Sequence, residues 1–442
     1  MLGTAARLGV LHRALTPSLL ESLDNKRKDM ADRILTTHVG SLPRTPEILE
    51  ANRSVAAGEI TQEEFREIQK ENVEWVVKKQ REIGIDIVND GEYGHPASGP
   101  DDMGSWWSYS FSRLGGLKLG AADEENPERE IVLNPAGDPE SPGNRVHIGR
   151  VASFDTRRDW QLFHDLYADA ASGAAPAVQG RGAQAPYIGA PLTYTGQELV
   201  KRDAHLLREA MRAARAEQGF VASISPGMAA DIGNRFYETE EELLGAAADA
   251  MGQEYKAIAD AGLTVQIDAP ELADVWDRIN PEPNVADFQA FISRRVDAIN
   301  RALRDVPREQ ARLHICWGSW HGPHSTDVPF ELIVDECLRA NVSGFSFENS
   351  TGRHAHEWRV WQNRSLPKET VIYPGVVAHS TNILEHPRAV ADRIIKFADL
   401  VGPENVIAST DCGLGGRLNG TLAWAKLESL VEGARIASAE LF

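Results

Sequence analysis

The 442-residue chain predicts a (β/α)8 barrel of the α/β class, and three observations carry that prediction. Short runs rich in β-branched residues alternate with longer amphipathic patterns. The alternation repeats eight times, more than an open sheet ordinarily needs. Polar, chemistry-bearing residues then gather just where the short runs end, and in a barrel the C-terminal strand ends hold the ligand.

The strand candidates are 34–37, 85–89, 220–225, 264–268, 313–317, 343–347, 371–374 and 405–409. The best-marked helix follows the first strand over 61–83. Thr61 and Glu64 form a capping box, and Phe65, Ile68, Val73, Val76 and Val77 share roughly one face. Segments 240–261, 285–303, 329–340 and 387–401 carry the same helical pattern. The spacing fails at one place: about 130 residues separate the second and third strands where one helix needs about thirty. A large insertion over about 105–195 is therefore expected. Its Gly-, Pro- and acid-rich tract at 120–144 reads as a mobile loop, and the extended runs 146–154 and 186–194 that follow it read as a hairpin. Residues 1–29 read as a dispensable N-terminal extension expected to be disordered. Their faint likeness to a targeting peptide is broken by Arg7, Arg13 and Pro17, and the barrel is assigned to 30–442.

Composition narrows the function. A chain with 42% hydrophobic and 25% charged residues is globular, and no apolar run approaches the ~18 residues of a membrane span. The formal charge of −19 repels polyanions, which excludes nucleic acid and anionic membrane as natural partners and favours a small-molecule substrate. Cys316, Cys337 and Cys412 are too few, and odd in number, for a disulfide framework, so a reducing, cytoplasmic location is expected.

Two of those cysteines fall among the strand-end clusters. Period-two alternation along 313–317 places His314 and Cys316 on one face, where an imidazole and a thiolate can bind one ion. Glu348 follows the sixth strand and Cys412 follows the eighth. Two sulfurs, one nitrogen and one carboxylate suit Zn2+ better than Mg2+, Ca2+ or Mn2+. Taken singly, a His-x-Cys pair or a buried cysteine is ordinary packing, and Cys337, inside a helical pattern, is read that way.

The blocks Thr37-His38-Val39-Gly40-Ser41-Leu42-Pro43, His314-x-Cys316, Phe347-Glu348-Asn349-Ser350 and Thr410-Asp411-Cys412-Gly413-Leu414, in this order, resemble the catalytic C-terminal half of cobalamin-independent methionine synthase. The resemblance runs from about Ile34 to the C-terminus, lacks the large N-terminal half, and extends to the related epoxyalkane:coenzyme M transferases. It implies a zinc ion held by His314, Cys316, Glu348 and Cys412. It also implies a methyltransferase in which the substrate thiol, homocysteine, is bound to zinc as the attacking thiolate. His379, in a His-Ser-x-Asn setting after the seventh strand, matches the family's proton donor. Glu92 and Asp268 match its ammonium-binding pair, and Gly40 and Ser41 its carboxylate-binding turn. His354 and His356 are further polar candidates at a strand end. As plain sequence features, His379 also reads as a surface-loop histidine and the two acids as a structural network.

The chain departs from the family at two points. No tryptophan lies between Trp160 and Trp276, where the folate-dependent enzymes stack the pteridine; Phe236 or Tyr237 is the available substitute. The family's Asp-Glu-Pro is Asp268-Ala269-Pro270 here. The alkyl donor is thus left open between methyltetrahydrofolate, a methylated corrinoid protein and an epoxide. An anionic thiol such as a mercaptosulfonate would draw on Arg44, Arg235 or Arg417. Trp106, Trp107 and Tyr109 read equally as a cover over an apolar substrate or as core. A zinc-binding barrel without catalysis is the reading from another class, and His379 argues against it.

Overall fold

A computed structural model describes residues 32–97, 104–121, 129–133, 146–151, 157–174 and 184–442. The 1–29 extension and most of the 120–144 tract lie outside them.

Eight parallel strands build the central sheet. In chain order they are Leu35–Thr36, Ile87–Val88, Gln218–Ile224, Thr264–Asp268, Ala311–His314, Gly344–Phe347, Val371–Val377 and Ile407–Thr410. Each pairs with its sequence neighbour from the second strand round to the eighth, and the eighth pairs back to the first through Leu35–Ile407 and Thr36–Ala408. The remaining seam, between first and second strands, carries no ladder. Isolated bonds bridge it, Asp86 N to Thr36 O at 3.1 Å and Thr37 Oγ1 to Ile87 O at 3.0 Å. The sheet is a barrel nearly closed, as the eightfold alternation predicts.

The helices form where their caps and faces demand. Gln62–Ile83 starts at Thr61, whose side chain accepts from Glu64 N while Glu64 accepts from Thr61 N, and it ends at Gly84 in the left-handed region. It buries Val73, Val76 and Val77. Glu240–Asp260, Val285–Ala302, Phe330–Cys337 and Pro387–Val401 match the other expected helices, and Cys337 is fully packed within its helix. Gln197–Ala214 and Gly420–Leu441 complete the outer layer.

The insertion differs from expectation. Val146–Val151 does not pair with the 186–194 run but with Arg129–Leu133 and Ile279–Asn280. The long strand Gln184–Tyr194 pairs instead with Leu114–Ala121, antiparallel, and with Gly233–Asn234. Gly116 permits that pairing: its φ is 93°, and a side chain there would strike the Ala190 carbonyl oxygen at 2.8 Å. A buried cluster fastens the ribbon to the barrel. Arg113 pairs with Asp203 at 2.5 Å and with Glu254 at 3.5 Å, and Glu254 accepts from Tyr194 at 2.6 Å and Ser223 at 2.6 Å. Tyr109, stacked on His95, belongs to this cluster, and Trp106 packs on the main core, so both are core rather than cover. The Trp107 side chain lies outside the described residues.

Candidate functional site

The candidate metal, acid and proton-donor residues sit at the C-terminal rim because the strands end there. His314 and Asp268 close the fifth and fourth strands, and Glu348 follows the sixth directly. His379 and Cys412 come two residues after the seventh and eighth. Cys316 is placed differently from the strand alternation: its strand stops at His314, and Cys316 opens the turn beyond. Ile315 N still bonds Ser346 O at 2.9 Å, which keeps that turn on the rim.

The rim converges on one point. Donor atoms of His314, Cys316 and Cys412 lie within 4.8 Å of one another, all buried. Cys316 Sγ is 3.8 Å from Cys412 Sγ and 3.7 Å from Glu348 Oε1. His314 bonds Ser346 Oγ through Nδ1 at 3.0 Å, and its Nε2 is buried without a partner. Gly318 N donates to Cys316 Sγ at 3.3 Å and Ser319 Oγ to Cys412 Sγ at 3.1 Å. The two thiols are coupled: the hydrogen bond from Cys316 holds Cys412 well below the ordinary thiol range, and the same contact raises Cys316.

Glu348 divides its oxygens. Oε1 accepts from Trp317 N at 3.2 Å and faces Cys316, while Oε2 bonds the Arg353 guanidinium. Burial pushes the carboxyl up, but the charges of Arg353, His379 and His354 together outweigh it and the group lies below its ordinary value. A second cluster joins Glu348, His379 and Asp411 within 4.8 Å. Asp411 is committed to structure: Oδ1 accepts from Asn349 N at 2.7 Å and Ser350 N at 2.9 Å, and Oδ2 accepts from Ser350 Oγ. It thereby ties the sixth strand end to the eighth. His379 is fully buried, neither ring nitrogen has a partner, and burial pushes its pKa down to about 4.

Beside this lies an acidic recess. Asp268 is buried and Glu92 nearly so; loss of hydration is the main cause that lifts Glu92 up to about 8, with the Asp268 charge adding to it, and Asp268 up to about 6. Gly40 is the hinge of the recess. At φ 152° its missing side chain leaves room for Glu92, because a Cβ there would lie 2.5 Å from Glu92 Oε1. Ser41 Oγ accepts from Arg417 Nη1 at 3.3 Å, and Arg44 donates to Glu92 O at 3.2 Å. Under Asp268, Gln266 relays charge: Nε2 donates to Asp268 Oδ1 at 2.8 Å, and Oε1 accepts from Arg312 Nε at 2.9 Å. Arg312 is itself buried against the Phe220 ring, 3.6 Å from its centroid.

Some candidates fall elsewhere. His354 is bound to Asp327 at 3.1 Å and Glu357 at 2.8 Å; burial opposes its charge, but these bonds lift it to about 10. His356 is exposed. Phe236 is 44% exposed, the Tyr237 hydroxyl accepts from Leu192 N at 2.8 Å, and Arg235 lies over the Tyr187 ring, so none of the three is built into the rim cluster. Arg353, Gln266, Arg312 and Asp411 carry no local pattern that marks them as functional, although Arg353, Gln266 and Asp411 stand beside the candidates His354, Asp268 and Cys412 in sequence.

Residues 34–95 match the family model described as the catalytic domain of cobalamin-independent synthase. Over 412 residues the chain is 24% identical to the uncharacterized protein YxjH of Bacillus subtilis, covering 89% of this chain and 92% of that one. It is 23% identical over 384 residues to 2-hydroxypropyl-CoM lyase of Xanthobacter autotrophicus, covering 76% and 92%. A B12-independent methionine synthase from Shewanella sp. W3-18-1, solved in complex with selenomethionine, shares the fold with a TM-score of 0.62 at 17% identity, over 92% of this chain and 99% of that one. No helix among the described residues is long and apolar enough to cross a membrane.

Proposed function

From this chain's membership of the cobalamin-independent synthase catalytic-domain family, related to the coenzyme M transferases, we propose a zinc-dependent S-methyltransferase that takes homocysteine as its thiol. The observation that carries the reading is the Cys316 to Cys412 sulfur separation of 3.8 Å beside a buried, unpartnered His314 Nε2. Two sulfurs bound tetrahedrally at Zn–S lengths near 2.3 Å stand about 3.8 Å apart. His314 Nε2, Cys316 Sγ and Cys412 Sγ, whose residues form one close donor set, fit zinc, and Glu348 Oε1, 3.7 Å from Cys316 Sγ, is taken as the fourth donor. With Nε2 as the donor, His314 presents Nδ1–H to Ser346, which fixes its tautomer and ring plane.

When bound, zinc supplies the charge that removes the proton from a coordinated substrate thiol. The chain's own residues do the rest. Glu92 and Asp268, paired in one desolvated recess, hold the substrate ammonium, whose charge relieves their mutual repulsion. Ser41 and the backbone of the Gly40 turn meet the substrate carboxylate, with Arg417 behind the hydroxyl. His379, without partners for either ring nitrogen, takes up a proton from solvent as the alkyl donor binds and delivers it to the departing group; its cationic form is steadied by Glu348. Burial of Ser41, Asp268 and His379 keeps water away from the electrophilic carbon.

A second reading, in which a mercaptosulfonate opens an epoxide, rests on Arg417 beside Ser41 and on the lyase relative. The paired acids favour the amino-acid thiol. Zinc-edge X-ray absorption and proton release on adding L-homocysteine or mercaptoethanesulfonate to the zinc-loaded protein tests both. A new sulfur scatterer and a released proton are expected with homocysteine. A response to mercaptoethanesulfonate alone replaces the first reading with the second, and silence to both ends the thiol-transfer proposal.

A further inference from the structure

Resting on that reading of the metal centre, we propose that Arg353 is a positioning residue that restricts Glu348 to a single donor oxygen and thereby keeps a place for the substrate thiol. The two carboxylate oxygens of Glu348 face opposite ways. Oε1 looks toward Cys316 at 3.7 Å, whereas Oε2 is taken by Arg353 Nη2, in a pair of which Glu348 is fully buried and Arg353 is only 10% exposed. Arg353 also donates to Gly318 O at 3.3 Å, and Gly318 N in turn donates to Cys316 Sγ at 3.3 Å. One guanidinium thus fixes the carboxylate and the turn that carries a sulfur donor.

Coordination number gives the first argument. A carboxylate binds a cation through one oxygen or two, and a glutamate using both would fill the place an incoming sulfur needs. A guanidinium held on Oε2 in a dry site makes the second oxygen costly to recruit. Charge gives the second argument. Two thiolates and one carboxylate leave a divalent ion with one excess negative charge, onto which an anionic sulfur must still be added. Arg353 cancels that excess, and buried charge is screened little. The residue lies five positions beyond Glu348, after the turn Asn349 to Gly352, close enough to reach back to the carboxylate it serves.

The test uses the full chain loaded with cobalt(II) or zinc, as wild type, R353M and R353K. Metal content, the thiolate-to-cobalt absorption band titrated with L-homocysteine, and zinc-edge X-ray absorption are read alongside thermal unfolding. R353M is expected to keep one equivalent of metal, to gain an oxygen scatterer, and to need roughly 10- to 100-fold more homocysteine for the band, the usual cost of losing a group behind a metal ligand. R353K keeps the charge but loses the planar fork, so its midpoint falls between the two. An R353M midpoint equal to wild type with an unchanged oxygen shell overturns the inference, as does loss of the metal itself. If R353M does not fold, a wild-type midpoint in R353K overturns it. A wild-type protein that takes up metal but no thiol fails the functional reading and this inference together, whereas wild-type thiol binding with unaltered variants fails this inference alone.

Discussion

The sulfurs of Cys316 and Cys412 stand 3.8 Å apart although 96 positions separate them in the chain. The fifth and eighth strands are not neighbours in the sheet, so only the barrel's curvature brings their ends together. Cys412→Ser is expected to lower zinc affinity by more than the roughly 10- to 100-fold that a supporting residue costs, because a ligand itself is lost. Competition with a chromophoric chelator measures it. A full equivalent of metal held with unchanged affinity would remove Cys412 from the ligand set.

Gly40 makes a sharper test of the substrate recess, since it touches neither the metal donors nor the proton donor. A methyl group there would sit 2.5 Å from Glu92 Oε1, at a φ of 152°. Gly40→Ala is expected to cost about 1–3 kcal/mol of stability and to raise the homocysteine KM with metal content unchanged. An unaltered KM in the folded variant would mean that Glu92 is not where substrate binds.

Stability should also depend on pH through Glu92. Burial lifts its folded value to about 8, above its unfolded value, so the folded state binds the extra proton. Stability conferred by that proton is present below pH ~4.5 and is lost as pH rises through about 8. Urea unfolding of the metal-free protein should therefore show stability falling by a few kcal/mol between pH 5 and 8, and Glu92→Gln should flatten the slope. Parallel profiles for the two proteins would contradict the shift.

The His379 loop is held from behind. Ala378 N donates to Glu385 Oε1 at 2.8 Å, and Glu385 Oε2 pairs with the fully buried Lys426 at 2.8 Å. Lys426→Met leaves Glu385 charged and alone, an expected loss of about 3–5 kcal/mol. The double variant Lys426→Met with Glu385→Gln should recover part of it in thermal unfolding. No recovery would show that the packing of Lys426, and not its pairing, matters.

How far the site was legible from sequence follows from which features are local. The strands were legible because a short β-branched run between turn signals is a local pattern, and every one of the eight falls where such a run stands. Their exact ends were not, which is why Cys316 is in a turn: alternation along 313–317 cannot tell where a ladder stops. The pairing inside the insertion is not legible, because pairing is a choice among distant partners. The strand Leu114–Ala121 carries three glycines and no β-branched residue, so nothing local marks it as the partner of Gln184–Tyr194. Arg353 escaped notice for a related reason, since its role depends on a side chain turning back around a bend. The C-terminal helix Gly420–Leu441 lies beyond the eighth strand end, where no chemistry-bearing pattern marks it, yet its Lys426 braces the seventh strand's loop.

The proton donor decides between an enzyme and a barrel that merely binds zinc. His379 is fully buried with both ring nitrogens unpartnered, a state with no structural benefit, since an unsatisfied buried polar group costs stability. Removing it should therefore leave the fold intact or slightly stabilised. His379→Ala is expected to retain a full equivalent of zinc and homocysteine-dependent proton release, while turnover falls about 100- to 10,000-fold, the range for loss of a general acid. His379→Asn, which keeps a hydrogen-bond donor but cannot carry the proton, should be as slow as alanine. Stopped-flow transfer to homocysteine with each methyl donor in turn reads the effect. If both variants turn over at the wild-type rate, the proton leaves by another route and His379 is only a packed ring.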